Sequence, residues 1–218
     1  NLIPMALIRL RQSVVCPVCA PRIAAFRSGE VAEAYTRARD NGFEAYLDTY
    51  TFPHTRESSL DEEIDAFGKA WRQFTTDRQA KNLRAGYFGN HTAREITFGT
   101  NGWHYHHHQL RYHRPGTHEE QRLNASWLAC LESVGRRTEG AELHAFDSER
   151  VQDERGARYT AKLSLAVDAQ ARAVGSEVAS AATKGRNLVR LLADAAAGDS
   201  LSEATWLHAV RVVCSRKI

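Results

Sequence analysis

The sequence predicts an α+β domain, a central antiparallel sheet with helices packed on it. Helix-period apolar stripes alternate with short β-rich runs in the order helix, strand, helix, hairpin, helix, strand, helix. Gly99-Thr100-Asn101-Gly102 reads as a tight turn, and a tight turn joins strands that run antiparallel. With 218 residues, 43% of them hydrophobic, the chain is long enough to bury one sizeable core with appendages.

The elements follow in chain order. Residues 20–41 are rich in Ala, Arg and Glu, and Ile23, Phe26, Val31, Ala34, Tyr35 and Ala38 fall roughly on one helical face before Asn41-Gly42 stops the helix. Phe43 to Phe52 carries aromatic and β-type residues and ends at Pro53, which reads as a strand. Ser58 or Ser59 caps a second helix with an acidic first turn, Asp61-Glu62-Glu63, whose stripe of Ile64, Phe67, Trp71 and Phe74 runs on to about Leu83. Thr92 to Phe98 and the histidine-rich segment after Gly102 form the hairpin. Thr117-His118-Glu119-Glu120 opens a third helix carrying Leu123, Trp127, Leu128 and Leu131. A short strand is expected over Ala141 to Phe146. A helix then runs from near Glu154–Ala157 through Val167, and two short helices, Leu188 to Ala196 and Leu201 to Val213, flank Gly198-Asp199.

Half of the ten histidines fall between His104 and His113. On a strand, His104, His106 and His108 project from one face, about 7 Å apart at each step. Folding the hairpin about Gly99–Gly102 pairs Phe98 with Trp103, Thr97 with His104, and Glu95 with His106. Directly opposed residues have Cβ atoms roughly 5 Å apart, so one cation can bridge Glu95 and a neighbouring histidine pair. The candidate ligands are therefore Glu95 with two of His104, His106 and His108. His91, His113, His118, His144 and His208 show no such pattern and are read as ordinary structural or surface histidines.

A second group lies in Arg158-Tyr159-Thr160-Ala161-Lys162. Tyr159 and Lys162, three apart on a predicted helix, point the same way. A neighbouring ammonium favours phenolate, and tyrosine can act as a covalent nucleophile. Trp103 beside the metal strand is read first as a core residue and second as a candidate for stacking on a base. Arg94, Arg111, Arg158, Lys184 and Arg186 are candidate phosphate contacts by location. The basic residues comprise 24 Arg and five Lys, but a net charge of +3 is too small to argue for nucleic acid alone. Cys16-Pro17-Val18-Cys19 is half of a zinc knuckle, a structural Zn²⁺ site that a longer parent chain would complete. No apolar run reaches the roughly 20 residues needed to cross a bilayer, and the composition reads as that of a cytoplasmic protein with no membrane partner.

Taken together, the ordered motifs resemble those of the replication initiators of rolling-circle plasmids, in the HUH endonuclease superfamily, of the actinobacterial type. Cys16–Ala20 is similar to the cysteine motif before that family's first helix. Thr49-Tyr50-Thr51-Phe52-Pro53-His54 is similar to its first strand motif, Glu95 to His108 to its metal motif, and Arg158 to Lys162 to its nucleophile motif. Lys184-Gly185-Arg186 with Leu191 to Asp199 is similar to the segment that follows its catalytic domain. The resemblance implies an RRM-like palm and three regions: an N-terminal arm over 1–20, an endonuclease domain over 21–170 and a helical extension over 171–218. It also implies one Mn²⁺ or Mg²⁺ held by His106, His108 and Glu95, with Tyr159 as nucleophile and Lys162 stabilising phenolate or transition state. The implied partners are single-stranded DNA at a plasmid origin and a host helicase. Other readings are a transposase or relaxase with the same chemistry, a DNA-binding relative that does not cut, and a zinc hydrolase in which Tyr159 would be idle.

Overall fold

The end of the first helix and the start of the second show how local sequence sets this architecture. The chain leaves α1 (Cys19–Asp40) through Gly42 at φ +77°, and Phe43 N–H returns to Ala38 O at 3.0 Å. This is the left-handed glycine stop that satisfies the last helical carbonyls. β1 (Glu44–Tyr50) follows. α2 (Leu60–Thr76) begins with a reciprocal cap: Ser59 N–H donates to Glu62 Oε2 at 2.8 Å, and Glu62 N–H donates to Ser59 Oγ at 3.3 Å.

The computed structural model describes residues 15, 19–76, 87–137, 139–153 and 185–216. Beyond α2 these comprise β2 (Tyr87–Gly99), β3 (Gly102–His113), α3 (Glu120–Ser133), a 3₁₀ turn (Ala141–Leu143), β4 (Phe146–Val151), β5 (Arg186–Asn187), α4 (Leu188–Ala196) and α5 (Ser200–Arg216). The five strands form one antiparallel sheet in the order β4-β1-β3-β2-β5. The expected α+β class is the one observed, with the histidine strand β3 at its centre. The expected end of the second helix near Leu83 and the helix expected from about 154 to 167 lie outside the described residues.

Two cores sandwich the sheet unequally. Trp103, Tyr105, Tyr50 and Ile96 pack with Phe67 and Phe74 of α2, Leu123, Trp127 and Leu131 of α3, and Leu188, Leu191, Val212 and Val213 of α4 and α5. A smaller cluster joins Leu110, Tyr112 and Ala45 to Val31, Tyr35 and Ala38 of α1. Side chains alternate along a strand, so α1 covers the Leu110–Tyr112 end of one face, while the larger core covers the other. The part of the α1 face that carries His104, His106 and His108 is left to polar partners.

One expected strand is a turn. Ala141 to Phe146 does not extend, because Leu143 N–H and Ala145 N–H bond back to Gly140 O and Ala141 O at 3.1 and 2.8 Å. Amides spent inside a 3₁₀ turn cannot serve a ladder, and pairing with β1 starts only at Phe146, opposite Tyr50. The C-terminal segment also does more than extend the fold. Arg186 and Asn187 pair with Phe98 and Thr97, and Asn187 then caps α4 by accepting from Arg190 N–H at 2.9 Å.

Candidate metal centre

Gly99 pairs with Gly102 across a two-residue loop, and the ladder that follows places Thr97 opposite His104, Glu95 opposite His106 and Ala93 opposite His108. Gly102 is required twice over. Its φ is +84°, and a Cβ there would lie 3.0 Å from Thr55 O and Arg56 Cα. The register expected from the turn is thus the register found. Since side chains alternate at period two, this register alone puts the carboxylate and the three histidines on one face.

On that face a single carboxylate oxygen meets two imidazoles. Glu95 Oε2 lies 2.9 Å from His106 Nε2 and 3.1 Å from His108 Nε2. The side chains of Glu95, His106 and His108 are 18%, 10% and 11% exposed. One ligand atom from each falls within 4.8 Å of the others, an arrangement that could hold a divalent cation. Ala93, with only a methyl group opposite His108, leaves Glu95 room to reach both rings. Burial by itself would raise the Glu95 carboxyl, but hydrogen bonds from His106 and His108, and their charge when protonated, outweigh it and bring the group down to about 2. Glu95 is therefore an anion at any physiological pH, ready to balance a cation.

The neighbouring strand β1 and the residue just after it supply two hydroxyls. Thr49, opposite His108 in the β1–β3 ladder, places Oγ1 2.9 Å from His108 Nδ1. Thr51 places Oγ1 2.5 Å from His104 Nε2. His104 also stacks on His54, with centroids 4.6 Å apart and planes 10° from parallel. Burial, then the nearby His106 and His54, lowers His104 to about 3, so this ring is neutral. His104 also stacks on His106, with centroids 4.6 Å apart, but its Nε2 meets Thr51 and not Glu95. The sequence motif Thr49–His54 did not by itself mark Thr49 and Thr51 as partners of the histidines; their period-two spacing at the end of β1 is the signal that points to them.

His107 belongs to the other face. It lies 4.4 Å from Phe67 and 4.8 Å from Trp71 between ring centroids, and Tyr105 Oη is 3.0 Å from its Nε2. Burial, followed by the charge of Arg94, holds it well below the usual histidine range. Trp103 points into the same core, 6% exposed and packed on Phe98. That packing is the core role read first for Trp103, whose ring lies near both Phe98 and His208. Arg94 is exposed, but it pairs with His107 in register, on the sheet face opposite the convergent group. Arg186 is engaged within the chain: it donates to Asp194 Oδ2 and Ser202 Oγ at 3.1 and 2.7 Å and lies 3.5 Å from Asp199. Cys19 is the first residue of α1. Cys16, Arg158, Tyr159, Lys162 and Lys184 lie outside the described residues.

A second polar group lies on the far face and has a different geometry. Ser148 Oγ donates to Asp48 Oδ1 at 2.5 Å and lies 2.8 Å from His118 Nε2. Asp48 is also ion-paired with Arg111, both fully buried, which corrects the expectation that Arg111 meets a phosphate. A nucleophilic serine needs its imidazole placed between hydroxyl and carboxylate. Here serine sits in the middle with its proton committed to Asp48, so the group ties β1, β3 and β4 together.

The chain is similar to two curated proteins of Streptomyces. It is 27% identical over 135 residues to the "Neomycin resistance protein" of Streptomyces cyanogenus, covering 50% of this chain and 31% of that protein. It is 29% identical over 135 residues to the "Protein rep" of Streptomyces lividans, covering 49% of this chain and 30% of that protein. The chain thus spans about a third of the length of the curated relatives it matches. No family model matches the sequence, and no solved structure matches the fold. Among the described residues, no helix is long and apolar enough to cross a membrane.

Proposed function

We propose that this chain nicks and rejoins single-stranded DNA at a plasmid origin and so starts rolling-circle replication. The observation that carries the reading is the convergence of Glu95, His106 and His108 on the central strand. The name of the Streptomyces lividans relative, "Protein rep", supports placing that chemistry in replication.

A divalent cation bound there would polarise a non-bridging oxygen of the scissile phosphate and stabilise the charge that develops on it; mixed nitrogen and oxygen donors suit Mn²⁺ well and Mg²⁺ adequately. Glu95 supplies the negative charge of the site, and His106 and His108 supply neutral donors from a rigid strand. Tyr159 attacks phosphorus as its phenol proton departs. The bond from tyrosine oxygen to phosphorus forms, the bond to the 3′-oxygen breaks, and that oxygen takes up a proton. The product is a 5′-phosphotyrosine linkage with a free 3′-hydroxyl that can prime synthesis, and the linkage keeps the phosphodiester energy for rejoining. Lys162, one helical turn from Tyr159 in the expected helix, stabilises phenolate or the transition state. A host helicase would then unwind from the nick.

The test is to incubate the protein with a randomised single-stranded DNA pool and Mn²⁺, with and without chelator, beside Tyr159→Phe. A chelator-sensitive, SDS-resistant adduct that the variant lacks is the expected result, and sequencing the captured strands gives the target. DNA binding without any adduct would replace nicking by binding alone; an adduct that survives in Tyr159→Phe would remove Tyr159 from its role.

A further inference from the structure

Three histidines share the face of β3, and only two of them point at Glu95. The difference lies in which nitrogen the adjacent threonine engages. Thr49 Oγ1 meets His108 at Nδ1, the rear of the ring, at 2.9 Å, which leaves Nε2 aimed at Glu95. Thr51 Oγ1 meets His104 at Nε2, at 2.5 Å, the same nitrogen that His106 and His108 present to Glu95. Trp127 fixes Thr51 from the other face by donating its Nε1–H to Thr51 O at 2.8 Å.

We infer that Thr49 and Thr51 together select the metal ligands of this strand: Thr49 holds His108 with its Nε2 presented to the cation, and Thr51 withdraws His104 by occupying its Nε2. This rests on the metal reading given above. A hydroxyl both donates and accepts, so Thr49 bonds Nδ1 whether His108 carries its hydrogen at Nε2, toward Glu95, or at Nδ1, as a ligand must. An outer partner of this kind fixes ring orientation and tautomer. His106 has no such partner, since its Nδ1 is buried without a hydrogen bond among the described residues. His108 is therefore the positioned ligand, and Thr49 is a positioning residue that acts through it.

The experiment uses the full chain, ¹⁵N-labelled at histidine, with Zn²⁺ as a diamagnetic probe. Imidazole nitrogens are followed by long-range ¹H–¹⁵N correlation, and affinity is measured by calorimetry. The expected result is that Zn²⁺ moves Nε2 of His106 and His108 and leaves His104 in place. Thr49→Val should weaken Zn²⁺ binding by about 10–100-fold, the usual cost of losing an outer-shell partner, and Thr49→Ser should restore it. Thr51→Val should add His104 to the nitrogens that respond. Response of His104 in the unmodified protein, or wild-type affinity in Thr49→Val, overturns the selection while leaving the metal site intact. If no histidine responds to Zn²⁺, the metal reading itself fails and the selection falls with it. Retained amide dispersion in Thr49→Val, with rescue by Thr49→Ser, separates lost positioning from misfolding.

Discussion

His106 and His107 are consecutive residues of one strand, yet they stand in opposite chemistry. The face holding His106 and His108 offers a carboxylate, two hydroxyls and the small side chain of Ala93, and its imidazoles converge on Glu95. The face holding His107 offers Phe67, Trp71 and one phenol, and its imidazole is packed as a neutral aromatic ring. The lesson is that burial alone does not distinguish a ligand from a core residue, for His106 and His107 are both buried. What differs is the partner on the neighbouring strand or helix.

The largest effect should come from removing the carboxylate on which the ligand face converges. Glu95→Gln keeps the shape and loses the charge. We expect metal-dependent adduct formation to fall about 10³-fold, equivalent to several kcal/mol of electrostatic stabilisation, as measured by SDS-resistant adduct yield against Mn²⁺ concentration. The core face should respond in stability instead. Trp127→Ala empties the centre of that core and removes the bond to Thr51 O, so denaturant unfolding should show a loss of about 3–5 kcal/mol.

The sharpest contrast pairs His106→Leu with His107→Leu. The first should abolish Zn²⁺ binding by calorimetry. The second should leave Zn²⁺ affinity unchanged and cost about 1 kcal/mol for the lost Tyr105 hydrogen bond. Equal losses of Zn²⁺ affinity in the two variants would erase the distinction between the faces. At the turn that fixes which histidine goes where, Gly102→Ala must hold a left-handed φ against the Thr55 carbonyl. It should lower stability by about 1–2 kcal/mol, read from the urea midpoint.

An effect confined to acid pH is expected on the core face. Burial, then the charges of Arg111 and His118, lowers His113 to about 3, against about 6.5 in the unfolded chain. Between those values the unfolded chain binds a proton that the folded protein excludes. Stability should therefore fall as pH drops from 7 toward 3. His113→Gln should flatten the part of that slope that His113 contributes, measured as urea midpoints at pH 7 and pH 5.

Much of this site was legible because it is local. The turn Gly99–Gly102 sets the register of its own hairpin, and register with period two sets the face, so Glu95 opposite His106 follows from residues 95–106 alone. The core role read for Trp103 rests on more distant residues. Its place in the core depends on Phe98 across the hairpin and on the helices packed over that face. The role of Arg186 is likewise set from outside its own stretch, by Asp194, Ser202 and Asp199. Ala141 to Phe146 failed as a strand because its amides close a turn before the partner strand is reached.

The sequence by itself determined the described helices, the hairpin and the row of histidines, since capping, glycine stops and side-chain periodicity act within a few residues. The choice among those histidines was made by tertiary structure. It depends on β1 lying against β3 with Thr49 opposite His108, on Thr51 reaching His104, and on α2 claiming His107 for the core. An imidazole has two nitrogens and two faces, and only neighbours brought from distant parts of the chain decide which of them remains available.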